Sequence, residues 1–399
     1  MKKNNFIEFI DTYKERTYIS PYQYQNIMYE SHKNFNENIY YGQYIKESVN
    51  SHEIENMKII LPVETVEKPK RKITIENIEI NDISDLIQLA EKYPDIPNTE
   101  YNIDLLTIRN ILPELKCINQ MIGMHSIKIS IVEQLLYFIQ KLHVNKTDGD
   151  FKHTIICGPP GTGKTEIAKL IGQMYSKIGI LKSNIFKKAT RSDLVAGFLG
   201  QTAIKTQKLI DECIGGVLFI DEAYSLAPST NSNSDSFSKE CIDTLCENLS
   251  THKENLMVII AGYKHELEDT FFRVNRGLES RFIWRFIIDT YTYSELSEIF
   301  IKKVNEQEWI LDIDKSVLQD FIKKNQPEFK HYGRDMESLF TYTKISHGRK
   351  QFGKSEETKR HLTLENLEDG FKMFQIHKME KENENENENI KSILYSMYC

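Results

Sequence analysis

The chain has 399 residues, 40% of them hydrophobic and 27% charged, with a net charge of −7 at pH 7. That length implies two or three folded units with a sizeable core, and the acidic balance excludes a global field that draws nucleic acid or anionic membrane. No apolar run approaches the roughly 18 residues a membrane span needs, and Met1-Lys2-Lys3-Asn4-Asn5 is not followed by a signal peptide's apolar stretch, so a soluble, intracellular chain is expected.

Residues 1 to about 50 are rich in Tyr, Asn and charge, with only short apolar patches such as Phe6, Ile7, Phe9 and Ile10. Residues 63–72 (VETVEKPKRK) read as a linker, because charge and Pro dominate; residues 1–72 are left without an assigned fold. Ile83, Leu86, Ile87 and Leu89 have helical spacing behind an Asn81 or Asp82 cap, which makes 73–114 a helical segment. From His153, apolar runs at 153–157, 184–188, 216–220, 256–261 and 282–287 alternate with helical patterns at 163–178, 201–213, 238–251 and 264–271. Such alternation predicts an α/β domain over 115–290, with a parallel five-stranded sheet between helices. After Tyr291 no further strand is read. Helices near 293–308, 315–325, 333–347 and 364–378 make a small all-α domain over 291–378. Residues 379–399 form a polar, low-complexity tail whose Glu-Asn repeat cannot fold alone. The six cysteines show no CxxC spacing, and most lie in apolar runs. They are expected to be small buried hydrophobes in a reducing compartment rather than zinc ligands.

The strongest motif is Gly158-Pro159-Pro160-Gly161-Thr162-Gly163-Lys164-Thr165, set between an apolar strand and a helix that opens at Glu166. Glycines let the backbone curl so that its N–H groups point at phosphate oxygens, and the helix N-terminus adds positive partial charge. Lys164 would reach the β and γ phosphates, and the Thr165 hydroxyl would be a Mg²⁺ ligand. The alternative, a glycine turn with a chance GKT, does not explain the strand before it and the helix after it. Downstream, Val217-Leu218-Phe219-Ile220 ends in Asp221-Glu222, two carboxylates at the end of a strand where open parallel sheets bind ligands. Asp221 would hold Mg²⁺ through its water shell, and Glu222 would polarise the attacking water. An isolated run of this kind more often ends in a solvated acidic turn; beside the phosphate loop the catalytic reading prevails. ATP and Mg²⁺ are the expected cofactors.

Taken in order, GPPGTGKT, RSDLVAGFLGQTAIKT, GGVLFIDEAYSL, IIAGYKHEL and GLESRF resemble the CbxX/CfqX branch of the AAA+ P-loop ATPases over about residues 115–375. That branch includes red-type Rubisco activases and sporulation protein K, and giant DNA viruses carry members. The resemblance implies an ATPase domain followed by a helical lid, assembled as a homo-oligomer, most often a hexamer. Met121-Ile122-Gly123-Met124 matches the segment that contacts adenine, with Ile122 and Gly123 as contacts. Arg281 matches the arginine finger that reaches a neighbouring subunit's γ-phosphate, with Arg276 and Arg285 close by. Arg334, in Tyr332-Gly333-Arg334-Asp335, matches the sensor-2 arginine of the lid. At the sensor-1 position, where many AAA+ proteins have Asn, the sequence reads Ala261-Gly262-Tyr263, and Tyr263 is the candidate water-orienting group.

Phe198-Leu199-Gly200 falls in the loop that lines the pore of such rings. An aromatic, an aliphatic and a Gly suit a sequence-tolerant grip on extended polypeptide, although a core Phe covering the sheet would look the same in sequence. A pore tracking phosphates would carry basic residues, and only Arg191 and Lys205 lie nearby. A protein client is therefore expected over nucleic acid; a nucleic-acid motor or loader of the same class is the alternative.

Overall fold

The computed structural model describes residues 71–144, 150–198, 200–228, 235–353 and 358–380. Residues up to 70, Leu199 and the tail from 381 lie outside the described residues, and so do the expectations that fall on them.

Strand β1 (Arg71–Ile73) pairs in parallel with β2 (Thr99–Tyr101) around helix α1 (Ile83–Lys92). Arg71 and Lys72 belong to the stretch read as a linker. Their side chains are exposed, so only backbone pairing marks the strand. Asp82 caps α1 as expected: its carboxylate accepts from Asp85 N at 3.0 Å, and the Asp85 carboxylate accepts from Asp82 N at 3.2 Å. Helices α2 (Leu105–Asn110), α3 (Leu112–Asn119) and α4 (His125–Ile139) follow. The expected border at 114/115 falls inside α3. Leu86, Leu115, Ile131 and Leu135 share one apolar core with the sheet, so these helices cover a sheet face.

The sheet is built from β3 (Thr154–Cys157), β4 (Phe186–Ala189), β5 (Val217–Ile220), β6 (Met257–Gly262) and β7 (Trp284–Ile287), in the order β4-β5-β6-β3-β7 with every pair parallel. Helix α5 (Lys164–Lys177) follows β3; the short α6 (Arg191–Leu194) and α7 (Thr202–Asp211) follow β4; α8 (Asp235–Thr251) follows β5. Ile156, Phe219, Ile259 and Phe286 pack with α4 and α5, while Ile155, Leu218 and Ile260 pack with α7 and α8. Burial on both faces is why the central strands β3, β5 and β6 read as apolar runs. The pattern at 264–271 becomes a helical stretch interrupted by a π turn over Leu267–Phe271.

The C-terminal part holds α9 (Tyr293–Glu306), α10 (Lys315–Asn325), α11 (Gly333–Gln351) and α12 (364–380). Helices make up this part as expected, but the expectation of helices alone is corrected by one parallel pair: Ile310–Leu311 with His361–Leu362 ties the segment before α10 to the one before α12. Two residues per strand are too few to leave a periodicity. Cys157, Cys213, Cys241 and Cys246 are buried, whereas Cys117 is exposed. Among the described residues no helix is long and apolar enough to cross a membrane.

Candidate nucleotide site

The loop after β3 is fixed at its start by two backbone bonds, Gly158 N to Gly262 O at 3.2 Å and Ile288 N to Cys157 O at 2.8 Å. Gly161 and Gly163 take φ of +72° and +85°, left-handed values that Gly adopts without a Cβ penalty. The chain then enters α5 at Lys164. Among the described residues, the N–H groups of Gly161, Thr162, Gly163, Lys164 and Thr165 donate to no protein acceptor. Five unsatisfied donors at a helix N-terminus form a cradle for an anion. Within it the Lys164 ammonium donates to Gly158 O at 2.9 Å and Pro159 O at 2.8 Å. Burial lowers its pKa, and the nearby carboxylates of Asp221 and Glu222 oppose that shift. A polyphosphate therefore fits what the chain offers: free N–H groups and a half-desolvated cation.

The two carboxylates stand at the carboxyl end of β5, two strands away from β3. Asp221 Oδ2 receives the Lys188 ammonium at 2.7 Å, and Oδ1 accepts from Glu222 N at 3.2 Å. Glu222 has φ +50° and is exposed, and its carboxylate is close enough to Lys164 to act on that ammonium. Thr165, half-buried in the first turn of α5, and Asp221 are the side chains that could hold Mg²⁺. Tyr263, after β6, lies with its ring centroid 5.9 Å from Lys164 Nζ and 6.0 Å from the Tyr224 ring. Burial, followed by Glu266 and Glu222, raises the Tyr263 pKa, so the phenol can donate a hydrogen bond at neutral pH.

The C-terminal domain closes directly onto the loop. Gly333 N donates to Gly161 O at 3.2 Å, and a Cβ on Gly161 would stand 2.1 Å from His331 O and 3.0 Å from Arg334 Cβ. Arg334 thus lies beside the phosphate cradle. Tyr332 just before it has φ +48°, and the Asp335 carboxylate accepts from His331 N at 2.7 Å to hold the turn. Gly161→Ala is accordingly expected to unseat the lid and weaken nucleotide binding at least tenfold, measured with a fluorescent ADP analogue.

Met121–Met124 lies between the loop and α9. A Cβ on Gly123 would meet Glu295 Oε1 at 2.6 Å and Tyr291 Cε1 at 3.0 Å, while one on Gly163 would meet Met124 Cε at 3.0 Å. Lys128 pins the segment by donating to Met121 O at 2.6 Å, and Tyr291 OH reaches Thr162 O at 3.3 Å. Tyr291, Glu295, Lys128 and Lys188 were not read from the sequence as part of the site. Thr292-Tyr293-Ser294-Glu295 is a legible capping box, and the aromatic immediately before it was the available signal.

Two expected residues lie elsewhere. Arg281 precedes β7, near the amino end of the strands, so the sheet separates it from its own chain's cradle. Its Nε donates to Ser250 Oγ at 2.7 Å and its Nη1 to Gly277 O at 2.5 Å. Arg285 pairs with Glu279 and Glu268, and Arg276 is exposed. Phe198, between α6 and α7, is 72% exposed, which is not the burial a core residue shows.

The family model for "ATPase family associated with various cellular activities (AAA)" matches residues 154–283. The cfxQ-like protein R730 of Acanthamoeba polyphaga mimivirus is 37% identical over 304 residues, covering 75% of this chain and 74% of that protein. Stage V sporulation protein K of Bacillus subtilis (strain 168) is 34% identical over 244 residues, 60% of this chain and 71% of the relative. The ESX-1 secretion system protein EccA1 of Mycobacterium tuberculosis is 44% identical over 148 residues, which is 37% of this chain and 26% of EccA1. The matched family span runs from the first residue of β3 to the turn before β7, and the match to the viral cfxQ-like protein covers 74% of that relative; the chain belongs to the AAA family of ATPases, in its CbxX/CfqX branch.

Proposed function

We propose that this chain is a Mg-dependent ATPase that works as a ring, most simply a hexamer, and pulls on or remodels a polypeptide threaded through the pore. Bound Mg-ATP supplies the γ-phosphate that is transferred to water. Lys164 and the free N–H groups of the loop hold and orient the phosphates. Thr165 and Asp221 hold the metal. Glu222 takes the proton from the attacking water, with Tyr263 in place to orient that water. Ile122 and Gly123 contact the base, and Arg334 senses whether the γ-phosphate is present, because its helix is bonded to the loop at Gly161. Arg281 acts on the neighbour's site.

One observation carries the choice of a polypeptide client: the pore-loop candidate presents a bare ring while both nearby cations are engaged by acceptors of their own chain. Phe198 is 72% exposed. Arg191 donates to Ser225 O at 2.5 Å and Ser238 Oγ at 3.0 Å, and Lys205 donates to Ser192 O at 2.6 Å and Val195 O at 3.0 Å. A phosphate-tracking pore needs free cations and stacking surfaces together. Sequence-tolerant apolar contact needs only the ring. The mycobacterial relative is a secretion-system protein, a setting in keeping with a polypeptide client.

The test is ATPase stimulation: an unfolded polypeptide should raise turnover and single-stranded DNA should not. The reverse pattern would establish the nucleic-acid motor instead. Phe198→Ala should keep basal ATPase and melting temperature, since an exposed side chain contributes within about 0.5 kcal/mol, yet lose stimulation by polypeptide. Phe198→Tyr, which keeps the flat face, should retain both. A large drop in melting temperature in either variant would place Phe198 in the core.

A further inference from the structure

Lys188 is the third residue of β4 and stands opposite Phe219 in the parallel register with β5. Its ammonium passes over the Phe219 ring, 5.9 Å from the centroid, and ends 2.7 Å from Asp221 Oδ2. The other oxygen of Asp221 is taken by the Glu222 N–H at 3.2 Å. Both oxygens of the carboxylate that faces the metal are thus engaged by donors, one of them a full positive charge. No sequence motif marks this lysine.

We propose that Lys188 is a positioning residue that stands in for the metal: it holds Asp221 in place while the site is empty and yields the carboxylate when Mg²⁺ arrives with nucleotide. The inference rests on Asp221 being the metal-facing carboxylate. Asp221 and Glu222 are consecutive acidic residues, and without a cation their charges repel. Lys164 interacts with both, but its ammonium donates to Gly158 O and Pro159 O. Lys188 supplies the missing charge. A divalent ion with its water shell needs the same oxygens as acceptors and repels an ammonium beside it, so the two compete. The exchange is easy because the pair is half in water: the lysine side chain is 46% exposed and the aspartate 23%. Exposed pairs of this kind hold weakly.

The consequence is a threshold for magnesium. Removing the competitor should let Mg²⁺ bind at lower concentration, by about two- to fivefold for a pair of this exposure. The experiment titrates Mg²⁺ from EDTA upward into the full chain with a fluorescent ADP analogue and reads the midpoint of metal-dependent binding. Lys188→Met, which keeps the apolar stem over Phe219, should lower the midpoint, and Lys188→Arg should restore or raise it. An unchanged or raised midpoint in Lys188→Met overturns the proposal and leaves a static ion pair. Asp221→Asn separates the two levels. If it raises the midpoint while Lys188→Met does nothing, only the stand-in role fails; if Asp221→Asn also does nothing, the metal assignment beneath it fails. A double-mutant cycle on melting temperature gives an independent reading. Coupling between positions 188 and 221 should be present in EDTA and absent with Mg²⁺ and ADP, and coupling that persists in both overturns the exchange.

Discussion

Lys164→Ala is expected to lose nucleotide binding, whereas Glu222→Gln keeps binding and loses turnover by about 10²–10⁴-fold. The two substitutions strike different parts of one site. The Lys164 ammonium is held by Gly158 O at 2.9 Å and Pro159 O at 2.8 Å, so it is in place before any ligand enters. Its burial already disfavours the charge, and an arriving phosphate relieves that cost by supplying the counter-charge. Alanine leaves the N–H cradle but removes the cation within it, and the phosphates lose the charge that Lys164 brings against their mutual repulsion. Glu222 plays no part in shaping the cradle. It begins the turn Ala223–Leu226 with φ +50° and its side chain is exposed, so the amide of Gln fits without disturbing the fold. What the amide lacks is basicity, because it cannot take a proton from water. Binding of a fluorescent ATP analogue and phosphate release, measured on the same preparations, separate the two effects. Near-normal phosphate release in Glu222→Gln would remove Glu222 from the role of base.

The contrast between these residues and those missed in the sequence has a physical origin. The central strands β3, β5 and β6 were legible because each is buried on both faces, and the cradle because GPPGTGKT is local: strand, turn and helix start lie within a dozen consecutive positions. Capping at Asp82 and Thr292 is local too. The contacts that complete the site are not. Gly161 meets His331 and Arg334 across about 170 residues of chain, and Gly123 meets Glu295 across a similar span. Lys188 reads as an ordinary charge in a half-buried edge strand until β4 is laid beside β5. The pair β1–β2 and the pair of Ile310–Leu311 with His361–Leu362 were missed for a related reason: strands of two or three residues are defined by backbone partners far away in sequence. Phe198 was legible as a residue but ambiguous as to place, because a core aromatic and a bare loop aromatic are the same letter. Only exposure separates them.

Arg281→Ala is expected to bind ATP normally and hydrolyse it roughly 10³-fold more slowly, the loss typical of an arginine that neutralises charge in phosphoryl transfer. The geometry supports action across a subunit boundary. β7 runs parallel to β3 with Trp284 opposite Thr154 and Ile287 opposite Cys157, and the cradle begins just beyond Cys157. Arg281 comes three residues before Trp284, so about 3.3 Å per residue puts the length of the strand and more between it and its own cradle. Two of its five N–H donors are used, by Ser250 and Gly277. Among the described residues Nη2 has no partner, and it remains to meet a phosphate brought by a neighbour. Arg281→Lys should not rescue, because a point charge does not reproduce the planar fork. Head-to-tail interfaces close into rings, so mixing Arg281→Ala with Lys164→Ala in equal amounts completes about a quarter of the sites: each pairs an intact cradle from one chain with an intact finger from the next. Turnover in the mixture should therefore rise far above that of either parent alone. Arg276→Ala is the control for the exposed arginine nearby; if it alone shows the loss, the finger is Arg276. If no mixing ratio restores turnover in assemblies whose mass shows a ring, the site is complete within one chain and Arg281 supports only its own fold.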